Sequence, residues 1–316
     1  MISTFGQMPD GRAVHSVAIG EGRLKVQVLS YGASVQSVLF NGAQMVVGSE
    51  RFEPYLGPLK YAGAVVGRVA NRIAGARAMI DGVASSLDAN EPNGACLHGG
   101  SDGAGQLIWT ILDHSAAQVT LTLHLPDGHM GFPGALDVQA RYRVEAEVLR
   151  LEITATSDAD TLCSFAPHGY WNLSGEANID AHELRIAAEH FLPVDAALIP
   201  TGEVAPLKKS AFDFSQARAI GGAGIDHNFC LSRARAPLCA VVWLHSPKSG
   251  VTLEVASTET GVQIYDGRHL RLARAGLAIE PQVWPDAVNQ TGFPSMTLRK
   301  GETYRVTSEF RLHTAD

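Results

Sequence analysis

Residues 118–154, QVTLTLHLPDGHMGFPGALDVQARYRVEAEVLRLEIT, contain the pattern that determines the fold class. The runs QVTLTLHL, LDVQARYRV and LRLEIT carry apolar side chains at nearly every second position. Successive side chains of a β-strand point to opposite faces, so this alternation predicts three strands, each with one buried face and one wetter face. The pair Asp127-Gly128, between the first two runs, is typical of a turn. The segment therefore predicts neighbouring strands of an antiparallel sheet.

The same alternation occurs elsewhere in the chain, for example in RLKVQV at 23–28 and VTLEVA at 251–256. No long amphipathic helix stands out, and residues 178–190, NIDAHELRIAAEH, fit either a helix or a further strand. There is no linker, repeat or low-complexity segment. The pattern predicts an all-β fold, a single large antiparallel β-sandwich domain over residues 1–316, with long loops at the ends of the strands.

The composition excludes several classes of protein. Of the 316 residues, 46% are hydrophobic and 18% are charged, which is typical of a folded protein rather than a disordered one. The net charge of −7 argues against nucleic acid and against an anionic membrane as partners. The N-terminus lacks the pattern of a signal peptide, no apolar run is long enough to span a membrane, and the four cysteines form no C-x-x-C pair. We therefore expect a cytoplasmic protein with free thiols.

Four segments place polar residues against the strand pattern, namely residues 67–82, 90–100, 165–175 and 277–294. Burying a polar group is costly unless it is hydrogen-bonded, so these positions are candidates for a functional site. The polar residues that stand out in the four segments are Arg68, Asn71, Arg72, His98, His168 and Glu280.

Glu280 is the most informative of these residues, because it follows the apolar run at 277–279 and precedes Pro281. A carboxylate that ends an apolar strand is expected to be partly desolvated, and burial raises a carboxyl pKa. Such a group can act as a general base. By itself, Glu280 also fits a structural role at a sheet edge, with its carboxylate in water.

The two histidines are open to two interpretations each. His168 precedes Tyr170 and Trp171, so it is either a hydrogen-bonded core histidine or an imidazole that titrates beside rings able to pack on a sugar. His98 precedes two glycines, so it either satisfies a turn carbonyl or lies where a ligand can approach the ring closely.

Motifs for other chemistries are missing from the sequence. There is no H-E-x-x-H zinc motif and no G-x-S-x-G nucleophile elbow, and the glycine-rich stretches lack the G-K-[ST] of a phosphate loop. Two histidines and a glutamate without the spacing of metal ligands favour acid/base catalysis with no metal.

Seven blocks, in order along nearly the whole chain, resemble the signature blocks of the aldose 1-epimerases, also called galactose mutarotases. The blocks are GRVANRI at 67–73, LHGG at 97–100, DGHMGFPG at 127–134, HGYWNLSG at 168–175, GIDHNF at 224–229, TGVQIYDG at 260–267 and EPQVWPDAVNQTGFP at 280–294. This resemblance implies a β-supersandwich that interconverts the α and β anomers of a free monosaccharide such as galactose or glucose.

The resemblance also implies roles for individual residues. By block-to-block match, His168 resembles the family's catalytic acid, Glu280 its catalytic base, and His98 the second active-site histidine, which binds near the ring oxygen. Opening and closing the sugar ring involves no net oxidation or reduction and releases no group, so this chemistry requires no cofactor. The residues that resemble the family's sugar-binding residues are Asn71, Arg72, Asp226 and Gln263.

Two features depart from the family pattern. Trp171 stands where the family more often has Phe, and Trp171 or Trp284 is a candidate to stack on the sugar. The connection between Gln263 and Glu280 is shorter than in many members, which is expected to open one wall of the pocket.

Two alternative functions are compatible with the same scaffold. One is a sugar-binding or regulatory protein without catalysis, which would have no chemical need for the base. The other is an epimerase of phosphorylated hexoses, for which Arg268, Arg271 and Arg274 are the candidate phosphate-binding group.

Overall fold

A computed structural model of the chain describes residues 2–314. Within these residues, the strands form three larger sheets and several two-stranded ones. The first, a five-stranded sheet, is a meander in chain order: β1 (Ile2–Gln7), β2 (Ala13–Ile19), β3 (Leu24–Leu29), β4 (Val35–Phe40) and β5 (Ala43–Gln44).

Four two-stranded sheets accompany the three larger ones. Their pairs are β6 (Val65–Val66) with β16 (Ala166–Pro167), β7 (Arg72–Ile73) with β10 (Cys96–Leu97), β8 (Arg77–Ile80) with β9 (Val83–Ser86), and β15 (Thr161–Leu162) with β27 (Thr297–Leu298). The helices of the described chain are four short 3₁₀ turns, at Glu53–Leu56, Ala74–Ala76, Ala104–Gln106 and His129–Gly131.

The largest sheet has nine strands and is antiparallel throughout. Its strands, in spatial order, are β11 (Thr110–His114), β12 (Gln118–Leu125), β13 (Leu136–Glu145), β14 (Val148–Ser157), β28 (Thr303–Thr314), β24 (Val251–Ser257), β23 (Cys239–His245), β18 (Glu183–Ile186) and β21 (Arg218–Ala219).

The third sheet has six strands and is also antiparallel. Its strands, in spatial order, are β17 (Tyr170–Trp171), β26 (Leu277–Gln282), β25 (Gly261–Tyr265), β22 (Asp226–Cys230), β19 (His190–Phe191) and β20 (Ala205–Pro206).

The predicted alternation within residues 118–154 is confirmed. The run QVTLTLHL is β12, LDVQARYRV lies in β13, and LRLEIT lies in β14. Along β13, buried and more exposed residues alternate over its whole length, and Tyr142 pairs with Val119 on one side and Leu151 on the other. The ambiguous segment 178–190 contains the strand β18 and no helix.

The largest hydrophobic cluster of the described residues contains side chains from all three larger sheets and confirms the all-β sandwich. Trp171 of the six-stranded sheet stacks on Phe310 of the nine-stranded sheet, with ring centroids 5.3 Å apart. The hydroxyl of Tyr142, in the nine-stranded sheet, donates to the backbone carbonyl of Ala33, next to the five-stranded sheet, at 2.9 Å. Full burial of one large apolar side chain stabilises a fold by about 1.5–3 kcal/mol, so these contacts hold the layers together.

All four cysteines are free thiols, as predicted. Among residues 2–314, no helix has the length and hydropathy needed to cross a membrane.

Candidate active site

Glu280 lies inside a strand rather than at its end. The sequence predicted a carboxylate that ends an apolar strand, but β26 continues through Pro281 to Gln282, and all six of its residues are buried. Pro281 is tolerated there because β17 pairs with β26 only at Leu277 and Ala278, so at position 281 the strand has one paired neighbour, β25. Glu280 is consequently 2% exposed, and its carboxylate is far more desolvated than a sheet-edge position would allow.

The register of the six-stranded sheet places Glu280 in a row of polar side chains. Gln263 of β25 is its direct partner, and Asn228 of β22 is the partner of Gln263. Asp226 follows on the same face of β22, since residues two apart on a strand point to the same side. The side-chain amide of Gln263 donates to Asp226 Oδ1 at 2.7 Å.

His168 lies between two short strands that hold it on both sides. It follows β16 and precedes β17. Its backbone N–H donates to the carbonyl of Ala64, and its carbonyl accepts from the N–H of Gly63. This fixes the backbone, and the imidazole Nε2 lies 3.6 Å from Glu280 Oε1. Both side chains are almost completely buried, and His168 Nδ1 and Glu280 Oε2 make no hydrogen bond within the described chain.

His98 reaches the same place from a tight turn after β10. Its φ of +52° is in the left-handed region, and its N–H donates to the carbonyl of Asn71. Gly99 follows with φ +83°, and a Cβ there would lie 2.1 Å from the carbonyl oxygen of Gly67, so only glycine fits. The ring centroids of His98 and His168 are 5.2 Å apart.

One hydrogen bond determines the tautomer of His98. The backbone N–H of Asn71 donates to its Nδ1 at 3.1 Å, so Nδ1 uses its lone pair there. In a neutral imidazole, the proton is then on Nε2. Burial, together with His168 and Arg72, holds the pKa of His98 well below its ordinary value, so the ring is neutral at pH 7. His98 therefore offers the site a hydrogen-bond donor.

Burial favours the neutral forms of both Glu280 and His168. Burial raises the pKa of Glu280 well above its ordinary value, and nearby Asp226 raises it further, while Arg72 acts against them. Burial lowers the pKa of His168 to about 4. With one proton between them, the two groups therefore favour the neutral pair, with the proton on Glu280, over the ion pair.

The three central residues have ligand atoms within 4.8 Å of one another, a geometry that a metal ion could in principle use. A metal needs a lone pair from each imidazole. The bond from Asn71 occupies the Nδ1 lone pair of His98 and leaves a proton on Nε2. The donor set therefore fits proton transfer better than metal binding.

Asn71 and Arg72 lie next to His98 and add further polar groups to the site. Asn71 has φ +60°, and its side-chain Oδ1 accepts the N–H of Arg72 at 2.8 Å. The Arg72 guanidinium donates through Nε and Nη2 to Glu91 Oε2, at 3.1 and 2.9 Å. Burial raises the pKa of Asp226, and the nearby Arg72 guanidinium opposes this effect.

The structure thus brings together the seven predicted site residues. His98, His168 and Glu280 form the central group. The four residues predicted to bind sugar line one adjoining cavity, and they are Asn71, Arg72, Asp226 and Gln263.

Neither tryptophan lies where it could stack on a sugar in this site. Trp171 is 3% exposed and stacks on Phe310 in the core, because Tyr170, its neighbour in β17, points to the opposite face of the sheet. Trp284 is 1% exposed and donates its indole N–H to the carbonyl of Thr260 at 2.8 Å. The hypothesis that one of them stacks on the sugar is therefore not supported.

Two arginines of the connection between Gln263 and Glu280 form ion pairs that stabilise this loop. Arg268 and Arg274 both form ion pairs with the buried Asp266, and Arg274 also pairs with Asp180. These carboxylates neutralise two of the three arginines that the sequence suggested for phosphate binding.

Sequence reasoning missed two residues of the site, Tyr61 and Asn228, and named Tyr170 only as a ring next to His168. Tyr61 packs edge-on against His98, with ring centroids 4.8 Å apart, and Tyr170 lies 5.1 Å from His168. Asn228 lines the same cavity as the predicted sugar-binding residues. Asn228 could have been found from the sequence, because it stands two positions after Asp226 on one strand and so shares its face.

Known proteins resemble this chain over its full length. The sequence model of the aldose 1-epimerase family matches residues 15–311. Galactose mutarotase of Rattus norvegicus is 37% identical, over 99% of this chain and 98% of the relative. Aldose 1-epimerase of Escherichia coli (strain K12) is 30% identical, over 96% of each chain.

Solved structures agree. The crystal structure of an aldose epimerase homologue from C. elegans has a TM-score of 0.90 at 26% identity, over 96% of this chain and 100% of that one. Galactose 1-epimerase from Lactobacillus acidophilus has a TM-score of 0.88 at 25% identity, over 100% and 99%. The chain therefore belongs to the aldose 1-epimerase family and is an isomerase, a mutarotase that interconverts the α and β anomers of a free aldose.

Proposed function

We propose that Glu280 and His168 carry out this reaction as a proton-transfer pair, with His98 as an accessory donor, on an aldohexose such as galactose. The observation that carries the assignment is the 3.6 Å separation of Glu280 Oε1 from His168 Nε2 in a buried site. The second carboxylate oxygen of Glu280 and Nδ1 of His168 are unpaired within the described chain. Galactose is proposed because several full-length relatives carry the name galactose mutarotase.

Ring opening and ring closure each move two protons between the sugar and the pair of Glu280 and His168. Glu280, as carboxylate, takes the proton of the O1 hydroxyl while His168, as imidazolium, protonates the ring oxygen O5. The C1–O5 bond breaks, and C1 becomes the carbonyl carbon of an open-chain aldehyde. Rotation about C1–C2 presents the other face of the carbonyl. Ring closure then returns the proton from O5 to His168 and the proton on Glu280 to O1. Each positioned acid or base typically contributes about 10²–10⁴-fold.

The burial of the pair assists ring opening. The cyclic sugar accompanies the ion pair, and the open-chain aldehyde accompanies the neutral pair. Because burial raises the pKa of Glu280 and lowers that of His168, it stabilises the neutral pair relative to the ion pair. The favoured protonation state of the site is therefore the one that is present while the sugar is in its unstable open-chain form.

The remaining residues position the sugar. The Nε2–H of His98 donates to O5, where negative charge develops as the C1–O5 bond breaks. Asn71 and Arg72 bind ring hydroxyls, and Arg72 is oriented for this by its bonds to Glu91. Asp226 accepts from hydroxyl groups, as charged acceptors bind them strongly.

Residues 1–316 act as a single catalytic domain in the cytoplasm. A hydrophobic cluster with side chains from all three larger sheets supports a single domain, and the free thiols suit a reducing compartment.

Polarimetry tests the proposal. Freshly dissolved α-D-galactose and α-D-glucose should reach anomeric equilibrium faster in the presence of the protein. Glu280→Gln should reduce the enzymatic rate by at least about 10²-fold. Glu145→Gln, at an exposed position of β13, is the matched control and should keep the wild-type rate. Wild-type turnover by Glu280→Gln would show that the base is another residue.

A further inference from the structure

Asn228 is a buried polar side chain that neither the fold nor the proposed mechanism accounts for. It is 1% exposed, and neither its amide nitrogen nor its amide oxygen has a hydrogen-bonding partner within the described chain. Leaving a buried amide unpaired costs free energy, and most buried polar groups in native proteins are paired. Both atoms of this amide therefore keep unused hydrogen-bonding capacity.

The register of the sheet places Asn228 two strands away from Glu280. Asn228 and Glu280 are on the same face, one on either side of Gln263. Adjacent strands lie about 4.8 Å apart, so the backbones of Asn228 and Glu280 are separated by about 10 Å. A sugar whose C1 is held at Glu280 would bring its opposite ring carbons to Asn228 when its ring lies along this row of side chains.

A narrow cavity joins Asn228 to the proposed sugar-binding residues. Its polar side consists of Asn228 and those four residues, and its other side includes the apolar Leu192 and Leu198. Apolar walls with a few convergent polar groups are typical of small-molecule sites.

Gly261 leaves open the space that the Asn228 amide occupies. A Cβ at position 261 would lie 2.6 Å from Asn228 Oδ1 and 2.9 Å from Trp284 Cδ1, so the amide occupies the space that a larger residue would fill.

We propose that Asn228 is a specificity-determining residue whose amide hydrogen-bonds the hydroxyl on C3 or C4 of the aldose. An amide both donates and accepts, which matches a hydroxyl group. These carbons lie across the ring from C1, and the configuration at C4 is what distinguishes galactose from glucose. The inference rests on the proposed function, since it requires C1 to be held at Glu280.

Deoxy sugars test the inference. We would measure kcat and KM by NMR anomer exchange for D-galactose, its 3-deoxy and 4-deoxy analogues, and D-fucose, which lacks only the C6 hydroxyl. The variants are Asn228→Leu, similar in size but without hydrogen-bonding groups, and Cys230→Ala as control. Cys230 lies on the same face of β22 but does not line the cavity.

The expected result is selective. Asn228→Leu should lower kcat/KM for galactose and fucose about 10-fold or more, mainly through KM, because the hydroxyl loses its partner. The deoxy sugar that lacks the contacted hydroxyl, either 3-deoxy or 4-deoxy, should be turned over equally by wild type and Asn228→Leu. Cys230→Ala should behave as wild type with every sugar.

Three results would overturn the inference. The first is an equal loss on all sugars, and the second is an unchanged set of constants. The third needs no variant: unaltered protein that turns over both the 3-deoxy and 4-deoxy sugars as well as galactose has no such contact. Unaltered protein that is inactive on every aldose would instead contradict the proposed function.

Discussion

The Nε2 atom of His168 lies 3.6 Å from Oε1 of Glu280, and both side chains are buried between strands that come from distant parts of the chain. The two groups act as a unit that carries one proton. Adding a second proton removes the base, and removing the only proton removes the acid.

The pH dependence of catalysis should report this pair. Burial lowers the pKa of His168 to about 4 and raises the pKa of Glu280 above its ordinary value of 4.5. We expect kcat/KM to fall below about pH 4 in acid and to fall in alkali only above the ordinary glutamate range. NMR anomer exchange, corrected for the spontaneous reaction, measures the profile. An acid limb near the ordinary histidine pKa of 6.5 would contradict the proposed burial effect.

Glu280 should also reduce stability at neutral pH. Its folded-state pKa is raised, so its favourable contribution is fully present below pH 4.5 and is lost as the pH rises through the folded-state value. Glu280→Gln cannot ionise, so it should be more stable than wild type at pH 7–8, and the difference should vanish towards pH 4.5. Urea unfolding at several pH values measures this. Glu145→Gln, at an exposed position of β13, is the control for the loss of one carboxylate.

His98 should contribute to the transition state rather than to substrate affinity. His98→Gln removes the Nε2–H donor in its present position, and loss of one such donor typically costs about 10²–10³-fold in kcat. Asn71→Gly is the matched variant, because glycine keeps the backbone N–H and the left-handed φ but loses the side chain. It should raise KM with little change in kcat. Steady-state kinetics on galactose separate the two effects, and a His98→Gln variant altered only in KM would refute this role.

Gly99 should be intolerant of any side chain. Gly99→Ala combines a left-handed φ with a contact of 2.1 Å to the Gly67 carbonyl oxygen, whereas Gly94→Ala has φ +81° and nothing within 4 Å. Left-handed backbone costs an alanine about 1–2 kcal/mol at either position. Gly99→Ala should therefore be destabilised beyond Gly94→Ala, and it should also lose activity because His98 moves. Thermal unfolding of both variants measures the difference, and equal melting temperatures would contradict the steric argument.

Trp171 should affect stability and leave the choice of sugar unchanged. Trp171→Phe replaces the ring that stacks on Phe310 with a smaller one, and such core changes typically cost about 1–3 kcal/mol. The ratio of kcat/KM for galactose and glucose should stay at its wild-type value. A changed ratio without loss of stability would place the indole at the sugar after all.

Much of this protein follows from local sequence patterns. The alternation at 118–154 determined the strands β12, β13 and β14, because a strand that faces the core on one side needs an apolar residue at every second position. The ordered blocks identified the family and the candidate site residues. The four polar segments also stood out from the sequence, since polar groups are rarely placed against the core without a reason.

The tertiary structure decided which of these residues meet and in what state. β26 is buried on both faces, so alternation could not show that Glu280 points into the site or that Trp171, paired with β26, faces the core. The tautomer of His98 depends on the N–H of Asn71, which is 27 residues away in the sequence. The raised pKa of Glu280 and the unpaired amide of Asn228 result from burial by other strands. These properties depend on the register between distant segments, which no local pattern specifies.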